Sequence, residues 1–308
     1  MKDLEGIQVI GLGQACVDYL GRLSEFPRED EKVEILDLQQ QCGGPASTAL
    51  VTLARLGIKT SFLGAISDDP FGVEIVKGLE KEGIDFRFLK ITPGYTSQFA
   101  FIAISKEGGN RTIFWHRGSA PHLGGNDVDL SPFGKAEILH VDGLMVEACT
   151  EAARQAKELG LKVVMDAGTM REGSRELVSL IDVLIASKKF ADPLVGPGAQ
   201  VEEGLKALYS LGPEAVVITM GSEGSLGWDG REVILQKAFP INAEDTTGAG
   251  DVYHGAYIYG LLQGWGMRGC MRFGSAVSAL KCRAIGARQG IPHHLEEIEA
   301  FMANFPHI

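Results

Sequence analysis

Asp245-Thr246-Thr247-Gly248-Ala249-Gly250-Asp251 places an acid at each end of a glycine-rich run, and Val252, Tyr253, Ala256, Tyr257 and Gly260 follow it at helical spacing. Glycine lets backbone approach a ligand closely, and the first amides of a helix have no partner within it. Together with the positive end of the helix dipole, such amides form a site for developing negative charge. Asp251 stands beside that site, where a carboxylate can take a proton from an attacking hydroxyl. The competing reading is a glycine-rich turn that caps an ordinary helix, with Asp251 as a first-turn acid.

Outward from this stretch the chain alternates. From about residue 136, short β-branched apolar runs at 138–141, 163–166, 183–186 and 216–220 are separated by helical patterns at 147–159 and 202–211. Such alternation predicts right-handed βαβ units and a parallel sheet with helices on both faces. Ligands of such sheets sit beyond the strands' carboxyl ends, where Asp166, Lys188, Thr219 and Gly221 fall. Nearer the N-terminus, Gly43-Gly44 leads into a small-residue helix over 46–56 closed by Gly57. A strand at 60–65 and a helix at 73–83 follow. Residues 19–23 and 32–38 read as extended, and 97–104 with 111–116 as a hairpin around Glu107-Gly108-Gly109-Asn110. Gly11-Leu12-Gly13-Gln14-Ala15-Cys16 matches part of a dinucleotide-binding fingerprint. Its third glycine is Cys16, however, and no helical pattern follows, so an oxidoreductase reading is set aside.

DTTGAGD followed by VYHGA, with Gly43-Gly44-Pro45-Ala46-Ser47-Thr48-Ala49 earlier in the chain, resembles the ribokinase/PfkB family of carbohydrate kinases, and the likeness covers nearly the whole length. The resemblance implies one α/β ribokinase-like domain over 1–308, with a mostly parallel central sheet. It also implies a small β-sheet lid from about 14–41 and 95–118 that commonly pairs with a second subunit's lid. ATP, Mg2+ and in some members K+ are implied with it. On the same basis Asp251 is the base, and Gly248, Ala249 and Gly250 the anion hole. Asp18, Gly43, Gly44 and Thr48 would meet the sugar, although the family usually has asparagine at the position of Thr48. Thr219, Gly221 and Gly224 match its T-x-G-x-x-G phosphate segment, and Asp245 and Thr246 complete the phosphate loop; the small residues of the helix over 271–281, Ala279 among them, would admit an adenine ring or equally serve tight helix packing.

Asp245 and Thr247 are also the candidate monovalent-cation site. Many members carry N-x-x-E where this chain has Ser187-Lys188-Lys189-Phe190-Ala191, which leaves the placement of Mg2+ open and offers Lys188 as a point charge for phosphate. The GGPASTA and DTTGAGDVYHGA segments look like the sulfofructose kinase branch, and Asn110-Arg111-Thr112-Ile113 with Ser187-Lys188 like ketohexokinase. Lys32, Arg111 and Arg117 would greet an anionic sugar, or are solvated lid charges. A neutral hexose or pentose is the first expectation for the substrate. A nucleoside stacked on Trp115 and a non-catalytic sugar or nucleotide sensor are the alternatives.

The bulk properties narrow the classes. A net charge of −11 without a basic run argues against a nucleic-acid partner. A hydrophobic content of 45% with 22% charged residues suits a globular protein, and no run of about 18 apolar residues is present to span a membrane. Cys16, Cys42, Cys149, Cys270 and Cys282 are scattered and form no C-x-x-C pair, as expected of free thiols in a reducing cytoplasm. There is no Walker A lysine motif and no G-x-S-x-G elbow, and His293-His294 has no spaced companions for zinc.

Overall fold

The structure, a computed structural model, describes residues 4, 6–105, 111–196 and 198–308. The elements run β1 (Val9–Leu12), β2 (Cys16–Leu23), β3 (Ile35–Gly43), α1 (Pro45–Arg55), β4 (Thr60–Ile66), α2 (Pro70–Lys81), β5 (Leu89–Ile91), β6 (Phe99–Ser105) and β7 (Arg111–His116). They continue with β8 (Ile138–Val141), α3 (Val146–Glu158), β9 (Lys162–Ala167), α4 (Ser174–Val178), β10 (Val183–Ser187), α5 (Lys188–Val195), α6 (Val201–Tyr209) and β11 (Ala215–Thr219). β12 (Ser225–Trp228), β13 (Val233–Gln236), α7 (Ala249–Leu262), α8 (Met267–Lys281) and α9 (Leu295–Ala303) complete the chain.

Among the described residues the large sheet has nine strands in the order β13-β12-β11-β10-β9-β8-β1-β4-β5. Every pair from β11 to β5 is parallel, as the alternation predicts. Successive strand residues point to opposite faces, so Val9, Val164, Ile185 and Val217 enter one apolar layer with α1, α7 and α8. Ile10, Val163, Leu184 and Val216 enter the other with α3 and α6. The antiparallel edge pair β12–β13 was not expected from the sequence. Its four-residue strands are too short for a clear alternation.

The second sheet, β3-β2-β6-β7, has β2 and β6 parallel at its centre and an antiparallel strand on each side. It is the lid, and the hairpin tip at 107–110 falls outside the described residues. β2 begins at Cys16 and not at 19, and β3 runs from Ile35 to Gly43, later than the expected 32–38. Lys32 therefore lies in the exposed connection before β3. All six residues of β7 are exposed. α7 is buried without a break from Val252 to Gly260, as a helix enclosed by other elements must be.

Candidate active site

The start of α7 carries part of the geometry expected of the opening stretch. Gly248 caps it in the left-handed region (φ 71°, ψ 6°), and a Cβ there would come within 2.7 Å of the Ala287 Cβ, so only glycine fits. Of the three amides expected to face an anion, that of Ala249 is turned inward: it donates to the Thr246 carbonyl at 3.2 Å. The Val252 amide closes the first helical turn on Gly248 O at 3.0 Å. Among the described residues no acceptor meets the amides of Gly248, Gly250 or Asp251. A Cβ built on Gly250 would find nothing within 4 Å, so the space before it is open.

Asp251 borders that space. Burial, and then the charge of Asp166 at the carboxyl end of β9, push its carboxyl up to about 6, while His254 and Arg111 pull the other way. Burial likewise pushes Asp166 up to about 7. His254, one turn along α7, sets Nδ1 2.6 Å from Gly250 O and 3.6 Å from Asp166 Oδ2, and Nε2 3.3 Å from Ile185 O. Burial lowers its pKa. A proton on Nδ1 would donate to Gly250 O, the shorter of the two carbonyl contacts, and fix the backbone turn that presents Asp251.

On the lid side, Asp18 is buried on β2 and lies against Gly43, where a Cβ would sit 2.0 Å from its Oδ2. Gly44 has φ 97°, and a Cβ there would strike Gln14 O at 2.5 Å. The paired glycines are thus demanded by the close approach of Asp18 and of the Gln14 backbone, a reason other than the sugar contact expected of them. Cys16 Sγ donates to Asp18 Oδ1 at 3.2 Å, and burial raises the Asp18 pKa.

Thr48 is placed differently from its expected role. It is wholly buried in α1, and its hydroxyl accepts Arg288 Nε at 3.4 Å. The same guanidinium donates to Gly43 O at 3.1 Å and Ser47 Oγ at 2.8 Å, tying the paired glycines to the C-terminal loop. Asp142, just beyond β8, accepts the amides of Gln14 (2.6 Å) and Leu144 (3.1 Å), yet burial pushes it up to about 7. Neither Arg288 nor Asp142 was singled out from the sequence. Asp142 carried a usable signal, because it follows a predicted parallel strand in the same way that Asp166 ends one.

A cleft of about 450 Å³ opens on the other side of the α7 start. Thr219, Gly221, Gly224, Thr246, Ala249, Gly250 and Ala279 all line it, with Phe239 and Tyr253 as further walls. Lys188 does not. It pairs with Glu223 at 3.3 Å over a neighbouring cleft. Asp245 does not reach the cleft either. It has no exposed surface and anchors the loop from beneath, accepting Thr247 N and Oγ1 on Oδ1 (2.8 and 2.7 Å) and Gly286 N on Oδ2 (2.7 Å). Arg111, expected at the sugar, reaches instead to Thr246. Lys32 lines none of these clefts.

Among the described residues, no group of three or more His, Cys, Asp or Glu side chains is arranged to hold a metal ion. No helix among them is long and apolar enough to cross a membrane.

The chain is 30% identical over 299 residues to a ribokinase of Haemophilus influenzae (94% of this chain, 96% of the relative). It is 27% identical over 309 residues to a nucleoside kinase of Methanothermobacter thermautotrophicus (98% and 97%). Among solved structures it superposes with a TM-score of 0.87 on a chain from Agrobacterium tumefaciens whose description offers ribokinase as a candidate identity. The two are 27% identical, over 98% of this chain and 99% of the other. An Escherichia coli chain solved with ATP and Mg2+ shares the fold at a TM-score of 0.83 and 20% identity, over 96% and 99% of the two chains. The sequence pattern of the pfkB family carbohydrate kinases matches residues 7–294, and the chain belongs to that family.

Proposed function

We propose that the protein transfers the γ-phosphoryl group of magnesium-ATP to a primary hydroxyl of a small neutral sugar, a hexose or a pentose. The observation that carries this reading is the open space before Gly250, with Asp251 beside it, the Asp18–Gly43 pair on the lid side and the cleft of Thr219, Gly224 and Ala279 on the other. ATP in that cleft would direct its γ-phosphate at the unpaired amides of Gly250 and Asp251. Asp18 would accept the sugar's hydroxyl donors and aim the reacting hydroxyl at the same point. Asp251 takes the hydroxyl proton, the sugar oxygen bonds to the γ-phosphorus, and the bond to the bridging oxygen breaks to release ADP. Positioning and charge stabilisation supply most of the catalysis in such transfers.

Mg2+ enters with the nucleotide as part of the substrate, where it neutralises phosphate charge. The buried Asp166 and Asp251 carboxylates would suit the water shell of that ion. The unpaired thiols suit a cytoplasmic enzyme.

The test is ATP consumption over a panel of hexoses, pentoses and nucleosides, with Asp251→Asn as the control. Turnover of a sugar that is lost in the variant supports the assignment. Turnover of nucleosides alone moves the substrate to the second expectation. Ligand-induced thermal stabilisation with no transfer to any member of the panel makes the protein a sensor.

A further inference from the structure

The oxygens that a monovalent cation would need at Asp245 are already taken. Both carboxylate oxygens accept protein donors, and the Asp245 carbonyl accepts Lys281 Nζ at 2.9 Å. Lys281 is the last residue of α8 and has no exposed surface. A lysine at a helix end ordinarily runs out to water, but this one turns inward and caps a backbone carbonyl beneath the anion-facing loop. The surroundings close tightly on it. Cys282 O accepts the amides of Glu244 (2.8 Å) and Asp245 (3.3 Å), and a Cβ on Gly290 would strike Lys281 O at 2.3 Å. The ammonium thus sits on the Asp245 carbonyl between the segments 244–248 and 282–290, near enough for the Asp245 charge to be felt. A second cation there would meet like charge and compete at both carboxylate oxygens with a protein donor already in place.

We infer that the Lys281 ammonium is a built-in replacement for a potassium ion: it holds the 245–248 loop, and through it the amides at the start of α7, so this chain works without a monovalent cation. Lys281 is a positioning residue that acts through Asp245. The inference rests on the kinase reading above, but its first test does not require activity.

The wild-type protein is melted in chlorides of N-methyl-D-glucamine, sodium and potassium at equal ionic strength, and turnover is measured in the same salts. The expected result is melting temperatures that agree within about 1.5 °C and rates within about twofold, because no ion binds specifically to the folded state. A larger rise specific to potassium, in either quantity, overturns the inference. Lys281→Ala leaves a vacancy and is expected to lose about tenfold or more in turnover without potassium, with saturable recovery in potassium or ammonium. Lys281→Met fills the space without charge and is expected to be slow in every salt. A Lys281→Ala protein equally slow with and without potassium would show that the lysine serves packing alone, and also overturns it. If Lys281→Ala does not fold, the wild-type comparison decides. A protein that transfers no phosphate in any salt fails as a kinase, and the melting comparison still decides the role of Lys281.

Discussion

Arg111 Nη1 donates to Thr246 Oγ1 at 2.5 Å, joining the first residue of β7 in the lid to the loop that precedes α7. The contact has company. Arg22 pairs with Glu244 at 3.2 Å, and Gln41 donates to Ile285 O at 3.0 Å, so β2, β3 and β7 each reach the loops on either side of the α7 start. The Arg22–Glu244 pair is exposed to water and contributes little by itself. Arg111 differs because its charge is felt at Asp251, at the start of α7, and at Lys281, beneath the loop that precedes it.

Removal of that guanidinium should therefore slow transfer more than it weakens binding. Arg111→Ala is expected to lower kcat by about 10- to 100-fold, with the dissociation constant of ATP changed by less than about threefold, since a charge that steadies the Thr246 loop and the ionised Asp251 acts mainly in the transition state. Arg111→Lys should recover only part of the loss, because an ammonium lacks the planar fork. Steady-state kinetics with a separate nucleotide titration checks both. An Arg111→Ala enzyme with normal kcat and a raised KM for sugar alone would return Arg111 to the sugar.

Asp251→Asn should cost about 10²–10⁴-fold in kcat while leaving ATP affinity nearly unchanged, the range for loss of a positioned base. The base works deprotonated, and its carboxyl is pushed up to about 6, so kcat/KM is expected to fall as pH drops through that value. Asp166 and Asp251 titrate as a pair, each charge opposing the other, so Asp166→Asn leaves Asp251 easier to ionise and the acid limb should move to lower pH. Rate profiles from pH 4.5 to 8.5, about the window needed, read the limb directly. A limb that Asp166→Asn leaves in place would assign the proton to another group.

The parallel sheet and the α7 loop were legible because both are local. β-branched runs mark buried strands, and glycines at required turns mark close approach, at Gly43, Gly44 and Gly248 alike. What the sequence hid depends on long-range partners. A lysine in the last turn of a helix is the pattern expected for the dipole, and nothing nearby says that Lys281 is buried. Arg288 sits in a loop of glycines and small residues, and its partners Gly43 and Ser47 lie more than two hundred positions away. Lys188 misled for the opposite reason. Its place after β10 was read correctly, but its side chain turns away to Glu223.

The lid leaves Ile35, Leu36 and Leu38 of β3 and Ile113, Phe114 and Trp115 of β7 each about half exposed, on strands at the two edges of one small sheet. Unpaired edges with large apolar side chains favour association. A homodimer through the lid is the expected state, and sedimentation at micromolar concentration reads it. Phe114→Glu should shift the protein toward monomer without loss of the large sheet's helical and strand signal. A wild-type protein that sediments as a monomer removes the lid pairing.

Gly250→Ala separates folding from chemistry most cleanly. Gly250 lies within α7, where alanine is favoured over glycine by about 1 kcal/mol, and an added Cβ meets no atom within 4 Å. The variant should therefore melt at or slightly above the wild-type temperature. The methyl group would stand in the space assigned to the γ-phosphoryl group, beside an amide that otherwise faces it. Turnover is expected to fall by about 10²-fold or more, the scale seen when one preorganised donor is lost. A matched melting curve with abolished transfer places the migrating phosphate at this helix start. A Gly250→Ala enzyme with wild-type turnover would mean that the phosphate passes elsewhere, and the role given to the amides of Gly250 and Asp251 would fall with it.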